Sequence, residues 1–273
     1  MFDDMIRDLF SLSFDFLGIN INVGDIASTI TQFANFSTMK NKDIFTIAKT
    51  CYDIVLPVGL SLLTLFVMIK FIKEVLEVNK LTWERVVMIG IEFFIYKALI
   101  DNSFRFLTTI MNITSNLYTS ITNAIAVSNV ATGTTVGDAM AEFCSGGMVK
   151  QCCLLIVVLI LWIGIMGTMI GCVTQVVMVF AKIILGFATA PVPLAMGMND
   201  NGGANTTKTF IMWMCSLGLE YILMMICTKI YSVGMGTVTS DLAGGIKVFF
   251  ANALLLAMIS FCSPLAEKLT GGR

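Results

Sequence analysis

The sequence contains no histidine. That removes the side chain most often used as a general base near neutral pH, and the commonest zinc ligand. Charge is scarce as well: Asp, Glu, Lys and Arg make up 13% of the chain, against about one quarter in an ordinary soluble domain. The formal net charge is −1, so no basic field advertises nucleic-acid binding. No CxxC occurs among the eight cysteines, and the adjacent Cys152 and Cys153 do not have metal-ligand spacing. No Walker A loop, HExxH or GxSxG occurs either, so the usual phosphate cradle, zinc-protease helix and hydrolase elbow are missing. These gaps leave no readable catalytic constellation, cofactor site or metal site, and point away from an enzyme.

What fills the 273 residues is apolar. Hydrophobic residues are 57% of the chain and the mean hydropathy is +0.88. A water-soluble fold could not cover that much apolar surface, so the solvent must largely be lipid. The expected fold class is all-α, a polytopic transmembrane helix bundle. Most cysteines lie inside apolar runs and read as small packing residues. A bridge from Cys144 to the Cys152–Cys153 pair requires the loop that holds Cys144 to lie outside the cell.

Four regions follow from the hydropathy pattern. Residues 1–46 form an amphipathic N-terminal segment. Met5, Leu9, Leu12 and Phe16 recur at helical spacing, and Ile26, Ile30 and Phe33 suggest a second short helix. Asp3, Asp4 and Asp8 precede only a short apolar run, unlike a secretory signal peptide. Residues 47–107 hold a first pair of spans, Ile54–Ile72 and Val86–Leu107. At the end of the first, Lys70/Glu74 and Lys73/Glu77 are i, i+4 pairs. Residues 108–150 read as an extramembrane loop, whose first part keeps helical periodicity through Ile110, Ile113, Leu117 and Ile121. Residues 151–273 hold the C-terminal spans. The apolar stretch 152–198 is about twice a bilayer in helical length, which predicts a turn near Gly171–Gln175 and spans at 152–173 and 176–197. Spans at Thr209–Val233 and Ile246–Cys262 complete a count of six, with five as the alternative.

Charges inside the spans are the first candidates for function, because charge at membrane depth is costly and usually pairs or faces water. Lys97, Asp101 and Arg105 form a plus-minus-plus ladder at i, i+4. Glu92 lies one turn away on a different face. Glu220 sits deep in an apolar run with no basic residue at i±4, and Lys182 is a sequence-plausible partner. Together these six are candidate pore-lining or assembly charges. A second candidate is the glycine groove Gly164, Gly167 and Gly171, spaced to let another helix approach closely, within the chain or from another subunit. Pro191 and Pro193 mark a helix break.

The layout resembles the TrbL-type polytopic subunits of type IV secretion and conjugation machines, in a Gram-positive style. The residues that carry the likeness are the Gly-rich span from Trp162, the run Ala181-Lys182 to Pro191-Val-Pro193-Leu-Ala, and Thr207-Lys208 to Trp213 after a polar loop. The likeness covers roughly residues 45–265. It implies a multi-pass subunit of the bacterial inner membrane, homo-oligomeric, channel- or scaffold-forming, beside membrane-associated secretion ATPases. It also implies passage of a DNA–protein complex, for which no residue gives a direct signal. It supplies no catalytic residues. The alternatives are a small-molecule secondary transporter, which internal repeats and paired broken helices would favour, and a holin-like phage membrane protein.

The Lys/Arg distribution sets an expected orientation. Lys70, Lys73, Lys80 and Arg85 cluster after the first span, whereas 108–150 holds only Lys150, so the first connection is cytoplasmic and the N-terminus extracytoplasmic. Residues 115–145 should then be reachable from outside. A cysteine-free variant carrying Ser128→Cys should react with an impermeant maleimide on intact cells; reaction only after permeabilisation would reverse the orientation.

Overall fold

The computed structural model describes residues 4, 6–8, 13–16, 19–22, 30, 43–78, 83–124, 141–142, 148–199, 202–235 and 242–271. The described residues are helical apart from one short hairpin, in which β1 (Ser13–Phe16) pairs antiparallel with β2 (Ile19–Asn22), Ser13 opposite Asn22 and Phe16 opposite Ile19. The helices are α1 (Asp43–Val78), α2 (Trp83–Asp101), α3 (Ser103–Ala124), α4 (Met148–Thr189), α5 (Pro191–Ala195), α6 (Gly203–Met235) and α7 (Leu242–Thr270). A single 3₁₀ turn, Met196–Met198, follows α5.

Among the described residues four helices are long and apolar enough to cross a bilayer: 45–76 in α1, 155–189 in α4, 203–235 in α6 and 244–270 in α7. The chain is a multi-pass membrane protein. Two of the six expected spans are absent from this set, for different reasons. The segment 86–107 is split between α2 and α3, and α2 carries Glu84, Arg85, Glu92, Lys97 and Asp101 in its 19 residues. The segments 152–173 and 176–197 are not separated by a turn at Gly171–Gln175, because α4 runs unbroken for 42 residues, about 63 Å. A helical glycine costs only about 1 kcal/mol relative to alanine, far less than leaving backbone groups unpaired in hydrocarbon. The helix ends where the backbone cannot continue, at Thr189-Ala190-Pro191.

The N-terminal segment also departs from expectation. Residues 6–8 are helical, but Phe16 belongs to β1, so the amphipathic face from Met5 to Phe16 is not one helix. Polar and apolar residues alternate in Ser13–Phe16 and again in Ile19–Asn22, and that period of two fits a strand. Met5, Leu9, Leu12, Ile26 and Phe33 lie outside the described residues, as do Cys144 and most of 125–147. The helical periodicity read in 110–121 corresponds to α3.

The chain divides into two compact units. The first comprises 1–39, 115–180 and 220–265. Its core joins Ile6, Ala141, Val158, Ile165, Met235 and Val248, with Trp162, Tyr231 and Phe249 packed against it. There α4 meets α7 through a matched pair of heptad steps. A Cβ on Gly164 would stand 2.7 Å from the Phe249 ring, and one on Gly171 would stand 3.0 Å from Leu256. The pairs Gly164/Gly171 and Phe249/Leu256 are each seven residues apart, so each large side chain of α7 fills the gap left by a glycine of α4. Gly167 is exposed and meets nothing within 4 Å among the described residues. A polar bond between side chains joins α6 to α7 in this unit: the Tyr231 hydroxyl donates to Asn252 Oδ1 at 2.6 Å.

The second unit comprises 40–114, 181–219 and 266–273. Its centre is aromatic. Phe45, Phe104 and Phe187 pack mutually at centroid distances of 5.2–5.6 Å, and Tyr52 lies 5.2 Å from Phe104. The break between α2 and α3 is satisfied locally. Tyr52 Oη donates to the Ile100 carbonyl at 2.8 Å, buried Ser103 Oγ bonds the same carbonyl, and Asn102 Nδ2 reaches the Ala98 carbonyl. One close approach is at Gly59 of α1, where a Cβ would lie 2.6 Å from Pro191 Cβ and 2.9 Å from its carbonyl oxygen. That contact is rigid on both sides. Gly59→Ala should lower stability by about 1–3 kcal/mol through overpacking, whereas Gly167→Ala should be neutral or stabilising by up to about 1 kcal/mol. Thermal unfolding of both variants in mild detergent checks this; equal midpoints would show that the Gly59–Pro191 contact yields without cost.

Candidate functional site

The second unit contains a cavity of about 490 Å³ lined by Lys70, Glu92, Tyr96, Asn199 and Asn205, with Ile95 and the backbone of 197–204. Each wall has a local cause. Lys70 projects from α1 and Glu92 from α2, and their side chains meet at 2.6 Å with 19% and 39% of their surface exposed. The two helices are held side by side further along by a second pair, Arg85 with Glu74. Thus Lys70 and Glu74, four apart on α1, each reach across to α2, where sequence spacing suggested a bond along one helix.

The far wall is the chain reversal after the proline break. Pro191 and Pro193 set α5, the 3₁₀ turn follows, and Asn199 leaves it in extended conformation. Gly202 then adopts φ +90°, a left-handed conformation that favours glycine. A Cβ on Gly203 would collide with the Met196 carbonyl oxygen, and one on Gly197 with the Tyr96 ring. The Thr207 hydroxyl donates to the Pro193 carbonyl at 3.0 Å, tying the first turns of α6 back to α5. The reversal is therefore a packed elbow, with glycine wherever the chain approaches itself. Tyr96 is fixed against it.

The sequence-derived candidates fall in several places. Glu92 lines this cavity. Lys97, Asp101 and Arg105 are all exposed, and Asn102 interrupts the helix between the second and the third. Lys182 is half-buried in the second unit, within the apolar stretch 155–189 of α4 and not at a span edge. Glu220 belongs to the first unit, is 3% exposed, and lies within electrostatic reach of Tyr221 and Cys262. Of the glycine groove, Gly164 and Gly171 meet α7 and Gly167 does not. Lys70, Tyr96, Asn199 and Asn205 were missed from sequence. Lys70 carried a signal, a cation close to the end of an apolar run, but its local Glu74 absorbed it.

Chemically the cavity offers an ammonium, a carboxylate, a phenol and two amides. These bind and orient a polar group; they do not form a nucleophile with its base. Among the described residues no group of three or more Cys, Asp or Glu could hold a metal ion. Comparison with protein-family models, with curated proteins and with solved structures finds no match.

The ion pair is partly shielded, so breaking one side should cost more than removing both. Glu92→Gln alone removes this carboxylate from a partly buried ammonium and should destabilise by about 1 kcal/mol. Lys70→Met with Glu92→Gln should recover at least half of that loss. A double-mutant cycle on unfolding midpoints in detergent measures the coupling, and strict additivity would reduce the pair to a solvated surface contact.

Proposed function

We propose that this chain is a non-enzymatic channel or scaffold subunit of a type IV secretion complex for conjugative DNA transfer in a bacterial inner membrane. The observation that carries the reading is the elbow. The segment on which the resemblance rests, 181–213, folds around Pro191, Gly197 and Gly203 as a close-packed reversal. A scaffold needs its membrane helices held at fixed geometry, and a packed break supplies that better than a loose loop. Further support comes from surface. Large apolar side chains such as Ile54, Trp83, Phe94 and Ile160 are exposed on α1, α2 and α4, beside the exposed charges Lys97, Asp101 and Arg105. In this reading those faces meet lipid, further copies of the chain and the secretion ATPases, and the charges of α2 and α3 line or assemble an aqueous path for a DNA–protein substrate.

A second reading, a small-molecule secondary transporter, is favoured by one feature. The polar cavity with its Lys70–Glu92 pair lies beside an interrupted helix, as substrate sites of such proteins do. Two measurements separate the readings. Purification in mild detergent with mass determination should give an oligomer, and deletion should abolish DNA transfer without impairing growth. A monodisperse monomer that drives solute uptake in proteoliposomes would sink the secretion reading and support the transporter. Within the transfer assay Glu220→Gln is the sharpest single change: it keeps volume and removes charge, and it should lower transfer at least tenfold. An unchanged rate would assign Glu220 to packing.

A further inference from the structure

Two of the free cysteines, 35 positions apart in sequence, come together in the first unit. Cys227 of α6 and Cys262 of α7 stand with their sulfurs 3.7 Å apart. The Cys262 thiol donates to the Met258 carbonyl at 3.3 Å. The two thiols are also in hydrogen-bond contact with each other. Nothing intervenes along that line. A disulfide needs about 2.05 Å between sulfurs, so the gap to close is about 1.7 Å.

The surroundings decide what can reach the pair. Both cysteines line an apolar cavity of about 390 Å³, whose other walls include Leu223, Ile226, Ala257 and Phe261. Phe261 is 69% exposed and Ile226 is exposed as well, so the cavity opens on the outer face of two membrane-crossing helices. In a bilayer that face meets acyl chains. Water-soluble oxidants are excluded from such a site by the cost of desolvation, whereas a lipid-soluble one partitions into it.

We propose that Cys227 and Cys262 are a dithiol modification site, oxidised to an interhelix disulfide by a quinone-class molecule arriving from the bilayer. Two S–H bonds break and one S–S bond forms. The two electrons and two protons released pass to the quinone, which leaves as the quinol. The product joins α6 to α7 covalently, and reduction by a thiol restores both cysteines.

The test uses the full chain in membrane vesicles, treated with a short-chain, fully substituted benzoquinone, which cannot add to sulfur at the ring. Remaining thiols are alkylated and the protein is digested with trypsin. The expected result is a linked pair of peptides, 209–229 with 248–268, two hydrogen masses below their sum, with at least a tenfold loss of alkylated Cys262. The link should vanish in Cys227→Ser and in Cys262→Ser and persist in Cys215→Ser, since Cys215 shares the first peptide. Oxidised glutathione should give less than one tenth of the linkage. Full alkylation of both thiols in the wild-type chain after quinone treatment overturns the proposal without reliance on any variant. So does a disulfide-linked dimer on a non-reducing gel, a link that survives Cys227→Ser, or equal linkage by glutathione.

Discussion

In hydrocarbon a backbone N–H or C=O has no water to bond, and each one left unpaired costs several kcal/mol. That constraint governs where this chain bends. α4 passes through Gly164, Gly167, Gly171 and Thr174 without interruption because no local preference of those residues matches the cost of opening the ladder. Among the described residues, two interruptions of a helix have substitutes at hand. At Asn102 the Tyr52 and Ser103 hydroxyls take up the carbonyl of Ile100, while the Asn102 backbone N–H still reaches the carbonyl of Ala98. After Ala190 the proline has no N–H to lose, and Thr207 occupies the Pro193 carbonyl. Ser61, Thr64, Thr108, Thr168 and Thr189 show the same economy on a smaller scale, each returning its hydroxyl to a carbonyl of the preceding turn.

Packing then follows from size alone. Lipid tails are as apolar as leucine, so helices associate by fit and not by escape from water. At α4 and α7 the fit is a heptad of gaps facing a heptad of bulk. At α1 and α5 it is a glycine against a proline, two residues with no flexible side chain between them. Polar contacts sit at junctions: Lys70 with Glu92 between α1 and α2, Tyr231 with Asn252 between α6 and α7.

Much of this was legible in the sequence, and the rest was not for identifiable reasons. The helical class and the long apolar helices depend on composition, and the close approach of α4 at Gly164 and Gly171 on short-range spacing, which one sequence displays. The turn expected at Gly171–Gln175 came from treating bilayer thickness as an upper bound on helix length, although helices tilt and protrude. The strand at Ser13–Phe16 was hidden because four residues of period two also fit part of a 4-3-4 spacing. The cavity at Lys70 and the cysteine pair join residues 22 and 35 apart. No periodicity reports such distances, and a plausible local partner such as Glu74 conceals them.

The unbroken course of α4 bears on the membrane itself. Its exposed apolar side chains Ile156, Ile160, Ile163, Ile170, Met178 and Leu185 extend over about 44 Å of helix. A hydrocarbon layer about 30 Å thick would accommodate that length only at a tilt of about 45°, beyond the range of about 0–40° that membrane helices adopt. The bilayer beside α4 must therefore thicken, or neighbouring protein must cover one end of the stripe. By the first route the chain is matched to the thicker parts of a membrane, and lipids with longer acyl chains should gather along this helix.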